Sequence, residues 1–313
     1  MNISKKVSVI IPCFNESAGL FLFYKDLKSH LPEKYNYEII FVNDGSADDT
    51  LDVIKKIRQD DPMVHFISFS RNFGHQNALK SGFDLASGDC AICLDADLQH
   101  PPKLIPELLE KWEEGFESVV TKRIDHDSIS WFKKKSSRMF YQLTNRLSDV
   151  KMENGVADFR LLDRKVLDAL KNFSENQIFL RATIQWLGFK QIIIPYKAGE
   201  RVAGNSKYTL KKMISFALSG ITAFSIKPLR FSIYLGLLFA AFSFIYGVYA
   251  LAVFLFTDNA LPGWTSILMS VLFIGGLNLL MLGIIGEYLG KLFIENKKRP
   301  NYIISETDLE SDS

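Results

Sequence analysis

The pattern of apolar and polar positions changes character along this chain. Through the first 121 residues, short apolar runs alternate with longer amphipathic segments. The short runs lie at 7–12, 37–42, 64–69, 89–94 and 117–121; rich in Val, Ile and Phe, they read as buried strands. Segments near 18–31, 48–59, 76–86 and 103–114 repeat their apolar residues at helical spacing. This strand–helix alternation predicts an α/β fold, a mostly parallel Rossmann-like sheet with helices on both faces. Farther on, residues 231–257 carry no charge, Asp258 interrupts, and residues 259–286 are again uncharged. Each run exceeds the ~20 residues that a helix needs to cross a bilayer. The link between them, Asp258-Asn259-Ala260-Leu261-Pro262-Gly263, is turn-like, so the pair predicts a membrane hairpin with spans at 229–257 and 264–287.

The flanks of that hairpin orient it. Lys207, Lys211, Lys212, Lys227 and Arg230 precede the first span; Lys291, Lys297, Lys298 and Arg299 follow the second; the link has no Lys or Arg. Basic residues favour the cytoplasmic side, so both termini are expected there. Residues 208–225 repeat Met213, Phe216, Ala217, Ile221 and Phe224 at helical spacing and predict an amphipathic helix at the membrane surface, within a juxtamembrane segment 208–228. Residues 128–147 carry a similar stripe, Phe132, Met139, Phe140, Leu143 and Leu147, beside Lys133, Lys134, Lys135 and Arg138. That leaves a cytoplasmic domain over 1–207 and a cytoplasmic tail over 288–313. The tail is polar and acidic after Asn301, which predicts disorder.

Composition adds little but excludes something. The net charge of +2 over 313 residues gives no global attraction to nucleic acid. Three cysteines, Cys13, Cys90 and Cys93, are too few and odd in number for a disulfide framework. On a strand, Cys90 and Cys93 point to opposite faces and cannot chelate together; they read as small buried residues. The polar start, 1–6, and the short run 7–12 do not make a signal peptide.

Candidate chemistry gathers where the predicted strands end, and in open α/β sheets ligands bind at those carboxyl ends. The first strand ends in Pro12-Cys13-Phe14-Asn15-Glu16, the second in Asn43-Asp44-Gly45-Ser46, the third in Ser70-Arg71-Asn72-Phe73-Gly74-His75, and the fourth in Asp95-Ala96-Asp97-Leu98-Gln99 before Pro101-Pro102. Two carboxylates and an amide at alternate positions, Asp95, Asp97 and Gln99, can converge on one divalent cation. Oxygen ligands favour Mg²⁺ or Mn²⁺, ions that also grip a diphosphate. Acidic residues at neighbouring strand ends suit a base and a ribose. Neither a G-x-G-x-x-G turn nor a Walker loop is present, which excludes a dehydrogenase site and a P-loop.

With Asp158-Phe159-Arg160-Leu161-Leu162-Asp163, Arg201-Val202-Ala203-Gly204-Asn205-Ser206-Lys207-Tyr208 and the hairpin added, the chain resembles family 2 glycosyltransferases of GT-A fold. Within them it is similar to polyprenyl-phosphate transferases: bactoprenol glucosyltransferases and, more distantly, dolichyl-phosphate mannose synthases. The resemblance spans roughly residues 5–300. It implies that Pro12, Phe14, Glu16, Val42, Asp44, Asp95 and Ala96 cradle the nucleotide; Phe14 stands where relatives often have Tyr, which keeps stacking and loses a hydroxyl contact. It implies Asp97 and Gln99 as metal ligands, with Asp95 as a further one, and Arg123 near the donor or acceptor phosphates. Arg201, Lys207 and Tyr208 would meet the lipid phosphate, and Asp158 occupies a position proposed as the base. Because a phosphate monoester is largely dianionic at neutral pH, a strong base is scarcely needed, and Asp158 is read here as an orienting group. The implied activity is inverting transfer of one sugar, glucose from UDP-glucose, to undecaprenyl or a related polyprenyl phosphate. The product would be a lipid-linked donor for cell-envelope glycans, made at the cytoplasmic face of a bacterial inner membrane by a homo-oligomer such as a tetramer. UDP-GlcNAc or GDP-mannose as donor, and an inactive membrane scaffold of the same fold, stay open as alternatives. A processive polysaccharide synthase is disfavoured: Gln185 is followed directly by Trp186 rather than by a Gln-x-x-Arg-Trp pattern, and two spans are few.

Overall fold

The computed structural model describes residues 5–97, 100–124, 155–173, 175, 178–197, 225–256 and 263–309. These divide into two compact units: a sheet unit, which also takes in the chain from Arg299 onward, and a helical unit that ends at Lys298.

The predicted strands form as β1 (Lys6–Cys13), β2 (Asn36–Asn43), β3 (Val64–Phe69), β4 (Cys90–Cys93) and β5 (Ser118–Ile124), joined by β6 (Val156–Asp163), β7 (Gln191–Lys197) and β8 (Ile304–Thr307). Among the described residues the α-helices of this unit are α1 (Leu20–Ser29), α2 (Thr50–Asp60), α3 (His75–Leu85), α4 (Ile105–Glu113), α5 (Arg164–Lys171) and α6 (Leu180–Leu187). The sheet order is β7-β5-β6-β4-β1-β2-β3-β8. β1 pairs in parallel with β2 and β4, and β2 with β3; β6 runs antiparallel between β4 and β5, and β8 antiparallel on β3.

Side chains alternate between two cores, as the pleat demands. Val7, Val9 and Ile11 face one, with α1, α2 and α4 over it; Ile10, Ile40 and Val42 face the other, under α3, α5 and α6. Cys90 joins the first core and Cys93 the second, and all three cysteines are free and buried. The opposite-face reading of that pair therefore holds. Packing between α3 and β1 is close: a Cβ on Gly82 would fall 2.3 Å from Ile10 Cγ2.

The topology places the site. From β1 the chain moves outward through β2 and β3, then returns to lay β4 on the other side of β1. The connections diverge there, opening a crevice beyond the carboxyl ends of β1 and β4.

One expectation is overturned. Residues 302–309 of the tail are ordered: Ile67, Ser68 and Phe69 of β3 pair with Thr307, Glu306 and Ile304. Its acidic residues find cations on the sheet unit, Glu306 with Lys55 at 2.6 Å and Asp308 with Arg58 at 2.6 Å. A polar composition predicts disorder only when a chain has nothing to pair with, and an open β-edge supplies a full row of partners.

In the helical unit, α7 (Lys227–Phe256) and α8 (Trp264–Asn296) correspond to the two predicted spans, with α8 running on past residue 287. At 30 and 33 residues both are long and apolar enough to cross a membrane. Phe239 and Phe273 touch, with ring centroids 5.4 Å apart, while side chains such as Phe244, Phe256 and Leu279 are exposed over most of their surface. Apolar all round and unburied within the chain, this surface suits hydrocarbon rather than water. The predicted helices at 208–225 and 128–147 lie outside the described residues, apart from Ser225.

Candidate active site

The crevice is a pocket of ≈ 440 Å³ lined by Pro12, Phe14 and Glu16 after β1, Asp44 after β2, Asn72, Gly74 and His75 before α3, Asp95, Ala96 and Asp97 after β4, and Asp158 on β6. Its volume is that of a small-molecule site. Of the residues expected there, Pro12, Phe14, Glu16, Asp44, Asp95, Ala96, Asp97 and Asp158 converge. Val42 does not line it: its side chain is fully buried in the second core, on a strand covered on both faces. Arg123 is exposed on β5, beside Tyr196 of β7 and outside the lining. Gln99, Arg201, Lys207 and Tyr208 lie outside the described residues.

The strand-end loops are laced together. Asn15 sits at φ 56, a left-handed conformation that Asn tolerates. Its N–H donates to Ser46 Oγ at 3.0 Å and its Oδ1 accepts from Ala47 N at 2.9 Å. Asp44 turns inward: Oδ1 accepts the Phe73 N–H at 2.7 Å and Oδ2 the Gly74 N–H at 3.0 Å. Burial pushes this carboxyl's pKa up against the pull of those amides. Gly45 must be glycine, because at φ 64 an added Cβ would sit 2.3 Å from the Arg71 carbonyl carbon. The loop 70–75 thus rests directly on the β2 turn.

Asp95 is held by its backbone. Its N–H donates to His100 Nδ1 at 2.9 Å, and the His100 ring stacks near Phe159 at 5.5 Å. An acceptor Nδ1 carries no proton, so the 3.4 Å approach of that nitrogen to Asp95 Oδ2 is not a salt bridge. Asp95 Oδ1 is buried and accepts no hydrogen bond, with His75 Nε2 3.5 Å away.

Asp158 is bound on all sides. Arg181 of α6 grips it with two bonds, Nε to Oδ1 at 2.7 Å and Nη2 to Oδ2 at 2.8 Å; Arg160 Nη2 approaches Oδ1 at 3.3 Å and His75 Nε2 approaches Oδ2 at 3.5 Å. Burial favours its neutral form, but Arg181, His75 and Arg160 outweigh that and hold the carboxyl far below the usual range. Burial likewise opposes a charged imidazole at His75, yet Asp158 and Asp95 raise its pKa. Asp158 is therefore a carboxylate held on every side by Arg181, Arg160 and His75.

Sequence reading did not assign His75, His100, Arg160 or Arg181. The signal for His75 was its place in the third strand-end motif. Arg160 lies two residues from Asp158 on one strand and so on the same face. Nothing in the spacing marks Arg181, brought in from a distant helix.

The acidic lining bears on an implied cation. Burial raises the Glu16 pKa, and Asp97, Asp48 and Asp95 raise it further; burial raises Asp95 as well. Carboxylates that oppose one another's ionisation, around a buried oxygen without a hydrogen bond, suit a divalent cation, and a diphosphate would be repelled from such a pocket without one. Among the described residues no three His, Cys, Asp or Glu side chains form a complete ligand set. A metal would therefore draw further ligands from Gln99, from water or from the diphosphate itself.

The strand order, the acidic strand ends at the switch point and the pocket volume are those expected of a GT-A glycosyltransferase domain. A "Glycosyl transferase family 2" model matches residues 8–171, and a "GtrB C-terminal hairpin" model matches residues 227–292. An uncharacterized glycosyltransferase of Bacillus subtilis, YkcC, is 42% identical over 96% of this chain and 93% of its own length. A bactoprenol glucosyl transferase of Shigella phage SfV is 42% identical over 96% of this chain and 98% of its own. Among solved structures, a mannosyltransferase from Pyrobaculum calidifontis, in complex with GDP-Man and Mn²⁺, superposes with a TM-score of 0.50 at 15% identity, over 94% of this chain and 88% of that one. The chain belongs to glycosyltransferase family 2 and carries a GtrB-type C-terminal hairpin.

Proposed function

We propose that this enzyme transfers one hexose, glucose from UDP-glucose, to undecaprenyl or a related polyprenyl phosphate at the cytoplasmic face of a bacterial membrane. The observation that carries this reading is the acidic strand-end pocket in a chain whose second unit is two apolar helices of membrane-crossing length. The bactoprenol glucosyl transferase relative, similar along nearly its whole length, supports both the acceptor and the sugar.

In this reading Pro12, Phe14 and Glu16 receive the nucleoside, with the exposed Phe14 ring offering a face to the base. Asp97, Asp95 and Gln99 hold Mg²⁺ or Mn²⁺. When bound, such a cation offsets the charge that develops on the departing diphosphate. An oxygen of the lipid phosphate attacks the anomeric carbon while the bond to the diphosphate oxygen breaks opposite it, inverting the centre. The acceptor brings its own negative charge, so no proton need be removed. Arg201, Lys207 and Tyr208 draw the lipid phosphate in, and Arg123 serves the phosphates from β5. Asp158 keeps Arg181 and His75 in register and adds negative field near an oxocarbenium-like sugar. The basic flanks of the two helices favour the cytoplasmic side for both termini.

Asp97→Ala tests the site: transfer of labelled glucose from UDP-glucose into organic-extractable lipid should vanish at any Mn²⁺ concentration. Full activity in that variant would sink the site assignment.

A further inference from the structure

Strand β8 does more than cover an edge. Its pairing with β3 shifts at a bulge between Ser68 and Phe69, and beyond it Ser70 donates its N–H to Ile303 O at 3.0 Å. The ladder therefore runs past the end of β3 into the loop 70–75, the loop that forms one wall of the pocket. Tyr302 stacks on Phe69, with centroids 5.2 Å apart and planes 12° apart, and Phe69 meets Phe73 edge-on at 5.7 Å. The Tyr302 hydroxyl bonds Asp84 Oδ2 of α3 at 3.1 Å, so the ring is pinned at both ends. Phe73 then passes the contact on: its N–H is one of the two amides that hold Asp44, and Asn72, Gly74 and His75 beside it face the pocket.

The strand itself is well tied. Asp308 Oδ1 accepts the Phe66 N–H at 2.7 Å, and Thr307 Oγ1 donates to Phe66 O at 2.8 Å. On its inner side the loop packs closely on Gly45, where an added Cβ would fall 2.3 Å from Arg71 C and 2.6 Å from Asn72 N. Its shape is set from below by the β2 turn and from the edge by the aromatic stack.

We propose that residues 301–309 are a positioning strap for the donor pocket, with Tyr302 acting through Phe69 and Phe73 to fix the loop 70–75. The strap rests on the donor reading of that pocket. It assigns a role in nucleotide binding to a segment that follows both apolar helices in the chain and lies more than 200 residues from the loop it supports. A segment that merely covered the edge would change stability alone; a strap changes the affinity of the pocket.

The test uses the full-length protein in detergent, with UDP-glucose, Mn²⁺ and undecaprenyl phosphate as probes. Tyr302→Ala should raise the donor KM about tenfold with kcat within about twofold of wild type. Tyr302→Phe, which keeps the stack and loses only the bond to Asp84, should recover KM to within about threefold. Hydrogen exchange read in the same samples should show the Phe73 and Gly74 amides opening about tenfold faster in Tyr302→Ala. A variant that melts earlier yet keeps wild-type KM and wild-type exchange in the loop overturns the strap and leaves an edge cover. If the wild type turns over no nucleotide sugar, the donor reading fails, and exchange alone decides: unchanged protection at Phe73 and Gly74 overturns the strap, faster exchange upholds it.

Discussion

At the scale of single residues, Asp158 shows how far chemistry can be read from a sequence and where it stops. Its position marked it as functional, and the dianionic acceptor already argued against a strong base. In the structure Arg181 takes both carboxylate oxygens, at 2.7 and 2.8 Å. Removing that charge leaves Arg160 buried with one counter-ion fewer, so Asp158→Asn should lower kcat by about a hundredfold while donor affinity changes by less than about threefold. Pairing it with Arg181→Gln should add little further loss, because the two act as one unit; a kinetic double-mutant cycle checks this, and additive losses would separate them. Phe14 should behave in the opposite way. Its ring is 46% exposed at the pocket, and Phe14→Ala should raise donor KM by about tenfold with kcat nearly unchanged, as expected for ~1–3 kcal/mol of base stacking. Competition by free UDP, weakened to the same degree, would tie that loss to the base. Val42 and Arg181 mark the limits of sequence reading. Val42 was carried over by motif position and its side chain is a core residue of β2, while Arg181 comes from a remote helix whose approach no local pattern encodes.

Among the elements, the central strands were legible because burial on both faces leaves a continuous apolar run, and their helices because one face must stay polar. β6 was legible only as a segment carrying Asp158, and β8 not at all. A four-residue edge strand with one apolar residue, Ile304, has the composition of a tail, and only its partner makes it a strand. Polar residues also hold elements together inside the sheet. Glu38, buried on β2, accepts from the Ser8 hydroxyl, from Ser87 N at 2.7 Å and from Ser87 Oγ at 2.6 Å, and Lys6 Nζ lies 2.6 Å away. Burial pushes its pKa up, but Lys6, Ser8 and Ser87 prevail and hold it at about 2. Its folded value is depressed, so its contribution is fully present above the ordinary glutamate range of ~4.3 and is lost as pH falls toward the folded value. Glu38→Gln should cost on the order of 3 kcal/mol at pH 7, and the gap in melting temperature from wild type should narrow as pH falls below ~4. A gap that stays constant with pH would assign the effect to packing instead.

For the whole molecule, the proposed reaction has two needs that the two units would answer: a pocket for a water-soluble donor and apolar helices for a substrate that lives in lipid. With α7 and α8 exposing large apolar side chains along their length, the protein should stay with membranes through high salt and alkaline washing and leave only in detergent. Release by salt alone would place the helices on a surface rather than in the bilayer. This division was plain in the sequence, because charge-free runs of this length need no tertiary context to be recognised. What the sequence did not convey is that the chain returns after the hairpin to complete the sheet. The sugar is decided by pocket shape and a few hydrogen bonds, on which no single motif reports. The central claim is sugar transfer to a lipid phosphate, and the most direct measurement is the mass of the lipid product. Full-length enzyme with Mn²⁺ and undecaprenyl phosphate, offered UDP-glucose, UDP-GlcNAc and GDP-mannose in separate reactions, should yield undecaprenyl phosphate carrying one hexose from UDP-glucose, and none with Asp97→Ala. Unmodified lipid in every reaction, in an enzyme that still binds nucleotide, would contradict the account.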